Sequence, residues 1–411
     1  MKLYIGLLVF VFTSSVQAQA DFTFTPLEPQ TISQLNKILT KERTVFSSGI
    51  PKTFKLPHYS PAKYEVELYK VAYDSVIPEQ GNKPTKAFGL LAIPKIRDAS
   101  ALPIVSYQHG TVFGKHDVPS YAFADPINSA AYETRLMVAE FAGQGYMVIA
   151  ADYFGMGDSI EPEGYTVKAS EQQACIDLYE AAIQFLKDKK NISQTDLFLT
   201  GWSQGGLVTT AFLEKLESRN IPVKAASTAA APNDIFAALN GWIYHPRTID
   251  AKWLNTLVGL TAFSYENYFS KPGLAKDVIK AAYYDDLRKI YERNYNGIDE
   301  LKAIIKSLPT DFKKLLNDKY SDPGYFVDSD YGKILSDMQT YRRVFKTKVK
   351  MYYGTMDEVI SIPIGQLAST YQKSMGSQLL VTEFVKSGDH HATFLTSVAR
   401  QKEWFDTLKS H

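Results

Sequence analysis

The amino-acid sequence predicts an α/β protein: a mostly parallel central sheet flanked by helices, with a helical cap inserted between the sixth and seventh strands. Three observations carry that expectation. From residue 103 to 231, short β-rich runs alternate with helical runs, as parallel strands with helical crossovers on both faces require. The alternation stops at Asn233-Asp234 and resumes only at Lys348. The roughly 110 residues between are helical in pattern and rich in Trp, Tyr and Phe.

The elements follow in order. Residues 1–20 read as a secretory signal: Lys2 opens it, Leu3 to Phe12 is apolar, and Ala18-Gln19-Ala20 is a small-x-small cleavage site before Asp21. Its apolar run is too short to span a bilayer, so the mature chain is expected to be secreted or periplasmic, without a stable membrane anchor. Residues 21–60 form an N-terminal extension with one helix over Thr31 to Lys41, punctuated by Pro51 and Pro57. The first part of the core, 61–234, begins with two half-buried strands, Tyr64 to Tyr73 and Lys86 to Ile93, which alternate apolar with polar. Strand Pro103 to Gln108, helix Ala130 to Gly143, strand Tyr146 to Ala151, helix Ser170 to Lys189, strand Leu197 to Thr200, helix Leu207 to Leu216 and strand Val223 to Ala231 follow. Ser170-x-x-Gln173 reads as a capping box. The cap occupies 235–346, where Ile298, Leu301, Ile304, Ile305 and Leu308 make one helical stripe. The second part of the core, 347–411, holds strands Val349 to Gly354 and Leu379 to Val385 and a closing helix to Leu408.

Composition narrows the function classes. Lys+Arg 45 against Asp+Glu 44 gives a net charge of +1, so no field favours nucleic acid or an anionic membrane. Cys175 is the only cysteine, which rules out an intrachain disulfide, and its place on a helix's apolar face reads as an inert packed thiol. The seven histidines show no metal-ligand spacing, so neither a metal nor a cofactor is expected. Oligomeric state is open.

The chemistry centres on Gly201-Trp202-Ser203-Gln204-Gly205, between an apolar strand run and a helical run. A sharp strand-to-helix turn lifts a serine hydroxyl out of the sheet and aims the next N–H, that of Gln204, at a reacting carbonyl oxygen. Downstream, Thr355-Met356-Asp357-Glu358 leaves one strand's carboxyl end, and Ser387-Gly388-Asp389-His390-His391 leaves the next. An acid and a histidine in that order can orient and supply a base for the serine. Pro103 to Gln108 runs into His109-Gly110-Thr111, where the N–H of Thr111 is placed to be a second oxyanion donor.

With these motifs, with Tyr107-Gln108-His109-Gly110-Thr111 and with Asp152-Tyr153-Phe154-Gly155-Met156-Gly157-Asp158-Ser159, the chain resembles the α/β-hydrolase-fold serine hydrolases, and within them the secretory lipase/esterase family. The resemblance covers roughly residues 60–234 and 347–411. It implies Ser203 as nucleophile, Asp357 as acid, His390 as base and an oxyanion donor just after His109-Gly110. Family loops place the acid three residues after a glycine, which is Asp357 after Gly354, leaving Glu358 as a solvated loop charge. His391 stands where the family has a small residue and is the alternative base. His109 is expected to brace its loop rather than move a proton.

An insertion at this point lies over the carboxyl ends of the strands. Most of its aromatics are expected to pack the cap itself. Trp242 and Trp253 are expected among those that wall an apolar acyl or aryl pocket. The expected partner is therefore a small-molecule or lipid ester. A peptide or amide bond cleaved by the same triad is the alternative substrate class, and a catalytically silent binding protein the alternative of another kind.

Overall fold

The computed structural model describes residues 21–125 and 128–410; the proposed signal, residues 1–20, lies outside them. The strands are β1 Phe22–Gln30, β2 Val66–Ile77, β3 Lys83–Pro94, β4 Ala101–Gln108, β5 Met147–Ala151, β6 Ser193–Trp202, β7 Ala225–Ala229, β8 Val349–Gly354 and β9 Leu380–Val385. They make one sheet in the order β1-β2-β3-β5-β4-β6-β7-β8-β9. The β1–β2, β2–β3 and β3–β5 pairs are antiparallel and every pair from β5–β4 to β8–β9 is parallel. β5 is buried along its whole length, as a central parallel strand covered on both faces must be.

Helices Tyr132–Phe141 and His390–Leu408 pack together against the sheet, as do Lys168–Phe185 and Gln204–Ser218. Phe198 on β6 and Phe405 on the last helix stack at 4.6 Å. Cys175 is buried, and burial pushes its thiol well up. Among the described residues no helix is long and apolar enough to cross a membrane.

Three expectations change. The N-terminal extension contributes a strand, β1, paired antiparallel to β2 with Phe22 opposite Tyr73. Pro26 and Pro29 obscure it in the sequence, but an edge strand tolerates residues without an N–H, and Phe24 anchors it by stacking on Phe185 at 4.0 Å. With β1 counted, the cap lies between the seventh and eighth strands, not the sixth and seventh. The helix expected from Ser170 begins at Lys168, with Val167 as N-cap. Ser170 therefore makes no capping box; its hydroxyl donates to Glu79 at 2.5 Å, and Gln173 bonds Asp177.

The insertion is helical, with Ile235–Tyr244, Thr256–Tyr268, Ala281–Glu292 and Gly297–Ser307 as its longer elements. Asp234 caps the first by accepting from the Ala237 N–H at 2.9 Å. Tyr265, Tyr268, Tyr320 and Tyr331 are fully buried within it, and Phe236 stacks on Phe326 at 5.0 Å. In the stripe along Gly297–Ser307, Leu301 and Ile304 are buried while Ile298 is exposed. The cap grips the core through the loops at the strands' carboxyl ends. Tyr268 donates to Pro162 O at 2.9 Å and Tyr295 to Phe113 O at 2.5 Å. Trp242 Nε1 donates to Val359 O at 3.2 Å, and Arg247 Nη1 to Asp357 O at 3.0 Å.

Candidate active site

The parallel register brings the functional loops together. Gln108 lies opposite Gly201 in the β4–β6 pair, and Gly354 opposite Val385 in the β8–β9 pair. The His109 turn therefore leaves the sheet beside the Ser203 turn, and the Asp357 loop leaves it beside the His390 loop.

Ser203 has φ 57° and ψ −124°, a left-handed conformation that costs a non-glycine residue about 1–3 kcal/mol. Its surroundings enforce it: the Ser203 N–H donates to Ala229 O at 2.9 Å, and Gly206 N–H to Ser203 O at 2.9 Å. Two glycines are obligatory here. A Cβ at Gly201 would meet Gly205 O and Thr209 Oγ1, and one at Gly205 would strike the Gln108 carbonyl. The helix Gln204–Ser218 starts at once, so the Gln204 N–H is one of its unpaired first-turn donors. Across from it, the Thr111 hydroxyl lies 3.4 Å from Gln204 Oε1 and 2.8 Å from Tyr165 OH. Neither the Gln204 nor the Thr111 amide has a protein acceptor among the described residues.

His390 Nδ1 sits 3.1 Å from both oxygens of Asp357, whose side chain is fully buried. Asp357 Oδ1 also accepts from the Val359 and Ile360 N–H groups, each at 2.8 Å. Burial alone would push the His390 imidazole down. The Asp357 carboxylate, its hydrogen bond, and the nearby Glu358 and Asp389 outweigh burial and leave it raised above 6.5. An Nδ1–H held toward Asp357 leaves Nε2 free to accept a proton. The indole of Trp202, next to Ser203, lies 5.0 Å from the His390 ring.

The alternatives separate. Among the described residues no carboxylate bonds the His391 ring; it packs on Phe46 at 4.7 Å and Trp202 at 5.5 Å, and burial beside His390 lowers it to about 4. Glu358 is not a solvated loop charge: it is half-buried and accepts the His390 backbone N–H at 3.0 Å. His109 is buried, stacked on Tyr153 at 4.3 Å, with its ring nitrogens 2.8 Å from Gly110 O and 3.2 Å from Asp152 O. Burial lowers it to about 4, so it stays neutral.

Trp242 is buried against the acid loop through its bond to Val359 O, whereas Trp253 is half-buried and meets Phe113, two residues past Thr111, at 6.3 Å. The sequence reading missed Arg293 and Glu163. Their ion pair, 2.5 Å long with both side chains 8 % exposed, joins the cap to the loop after β5. Arg293 also reaches Val112 O at 3.4 Å. Neither residue lies in a recognisable motif; a charge pair 130 residues apart leaves no local signal.

Residues 128–291 match the model of the family described as serine aminopeptidase, S33. No curated protein matches the chain's sequence. Similar solved structures include a Legionella pneumophila protein provisionally described as a hydrolase (20% identity, 95% of this chain and 99% of that one, TM-score 0.77). The rice cell wall degrading esterase LipA from Xanthomonas oryzae is 18% identical over 94% of this chain and 98% of its own, with TM-score 0.76. Candida antarctica lipase A in its closed state is 18% identical over 84% of this chain and 79% of its own, with TM-score 0.61.

Proposed function

We propose that this chain, which has the α/β-hydrolase fold, is an exported serine hydrolase of carboxylic esters, working through an acyl-enzyme on Ser203. Ser203 Oγ attacks the ester carbonyl as His390 Nε2 takes its proton, and Asp357 stabilises the imidazolium. The carbonyl oxygen becomes an oxyanion held by the Gln204 and Thr111 amides. The C–O bond to the alcohol breaks, the alcohol leaves with the proton from His390, and the acyl group stays on Ser203. Water then attacks, its proton passing to His390. The second tetrahedral intermediate collapses, the proton returns to Ser203 Oγ, and the carboxylic acid is released.

The observation that carries this reading is the strained Ser203 turn: backbone strain at a serine whose next amide is free of protein acceptors has a use in acyl transfer. The likeness to an esterase and a lipase supports the ester class. The matching family's description favours a second reading, cleavage of a peptide from its amino terminus. That reaction needs a carboxylate to receive the free amine, and Glu163, beside the Gln204 turn, is already neutralised by Arg293. An aryl ester and an anilide of the same acyl group, assayed side by side, decide between them: ester-only turnover that disappears in Ser203→Ala supports the proposal, and preferential anilide cleavage refutes it. Export rests on the pattern of residues 1–20, and a mature chain beginning at Asp21 on N-terminal sequencing tests it.

A further inference from the structure

Two carboxyl groups are buried beside the neighbouring turns that carry Gln204 and Thr111, and the reaction above uses neither. Glu133 has donors on both oxygens, the Gly110 N–H at 3.1 and 3.2 Å and the Tyr107 hydroxyl at 2.8 Å. Glu171, on the helix Lys168–Phe185 and 1 % exposed, is different. Its Oε1 accepts from Gln204 Nε2 at 2.9 Å and from the Thr166 N–H at 3.1 Å, while Oε2 is buried without a partner among the described residues. The Gln204 side chain is thus held between Glu171 and the Thr111 hydroxyl. One chain of contacts joins the two residues whose amides are assigned to the oxyanion.

Burial pushes the Glu171 carboxyl up to about 8, against the lowering effect of the Gln204 and Thr166 bonds. That shift favours the uncharged acid near neutral pH. Ionised, it would put a negative charge against the Gln204 side chain, in a buried region that screens it little.

We propose that Glu171 is a positioning residue of the oxyanion site, holding Gln204 through an uncharged carboxyl, and that loss of its proton sets an alkaline limit on attack by Ser203. The inference rests on the serine-hydrolase reading. The titratable groups facing Glu171 are Glu79 and Glu163, Tyr153, Tyr165 and Tyr265, and Cys175. The two acids oppose its ionisation, and Glu163 is itself paired with Arg293. Burial raises the tyrosines and the thiol, so they remain neutral as Glu171 titrates.

Labelling of Ser203 by a fluorophosphonate reads its attack without committing to ester or amide. Followed from roughly pH 6 to pH 10, the wild-type rate is expected to fall about tenfold around the Glu171 transition, less than the ~10²–10³ lost when a donor is removed outright. In Glu171→Gln, which keeps the Oε1 acceptor, that fall disappears while the acid limb set by His390 stays in place. Glu133, pushed up by burial to about 7, contributes to both proteins and cancels in their ratio. A Glu171→Gln profile with the wild-type alkaline fall overturns the proposal. Should that variant not fold, Gln204→Met decides: a several-fold loss in labelling rate with unchanged probe affinity is expected, and a wild-type rate overturns it. Labelling that survives in Ser203→Ala defeats the serine assignment instead, whereas labelling confined to Ser203 with an unaltered alkaline fall rejects only the role of Glu171.

Discussion

The carboxyl ends of the strands and the cap above them are built on different principles. At the sheet, each functional residue sits within a few positions of a hydrogen-bonded strand: Ser203 follows Trp202 on β6, Asp357 lies three residues past β8, and His390 opens the helix after β9. Their backbone bonds are short and local, as in the two N–H groups that grip Asp357. The cap instead holds on largely by long-range contacts, among them side chains reaching to distant carbonyls and the buried Arg293–Glu163 ion pair. The lower region is over-determined and can store strain at Ser203. The upper region depends on contacts between residues far apart in the chain, so changes there should alter access and stability more than chemistry.

The largest expected effect breaks the lower region. Ser203→Ala should retain less than about a hundredth of the wild-type turnover with an unchanged circular dichroism spectrum, because the proposed covalent route is gone. His390→Ala should match it, since residues acting as one unit show non-additive losses. His391→Ala should cost no more than about tenfold, because its imidazole packs on Phe46 and Trp202 without an acid partner. Comparable losses in the two histidine variants would erase the distinction between them.

The pH profile sharpens the same region. On the proposed mechanism turnover needs the neutral imidazole, and Asp357 holds His390 above 6.5, so activity should be lost as pH falls through a midpoint above that value. The stability contribution has the opposite sense: the raised pKa stabilises the fold fully below the unfolded value and fades as pH rises through the folded one. Asp357→Asn should move the acid midpoint down and lower kcat together, as pH–rate profiles will read directly.

In the cap the first target is the ion pair. Arg293→Met leaves Glu163 buried without its partner, and a loss of about 3–5 kcal/mol is expected from such a break. Arg293→Met combined with Glu163→Leu should recover much of it, because an apolar pair of similar volume avoids the desolvation cost. Denaturant titration of the single and double variants checks this; equal stabilities for the wild type and Arg293→Met would show that the cap is held elsewhere.

The smallest effect concerns selectivity. Trp253→Ala should shift the preference between short and long acyl esters by about ten- to two-hundredfold while acetyl-ester turnover changes little, the scale of ~1–3 kcal/mol per group in an apolar pocket. Trp242→Ala also removes the bond to Val359 O beside Asp357, so it should lower kcat as well. An unchanged chain-length profile in folded Trp253→Ala would assign that residue to packing against Phe113 alone.

The amino-acid sequence by itself determined the alternation of strands and helices from β4 to β7, the turn at Ser203, and the acid and histidine loops of the last two strands. These are local features: period, glycine placement and turn chemistry act over five to ten residues and leave their mark there. Tertiary structure decided the rest. β1 became a strand because β2 offered an edge, despite Pro26 and Pro29. Lys168 rather than Ser170 came near the helix start because Glu79, ninety-one residues away, took the Ser170 hydroxyl. His390 was separated from His391 by which ring the fold turned toward Asp357, and Glu171 met Gln204, and Arg293 met Glu163, only once the sheet and cap had closed. Contacts between residues far apart in the chain carry no period and no motif, so only the folded chain reveals them.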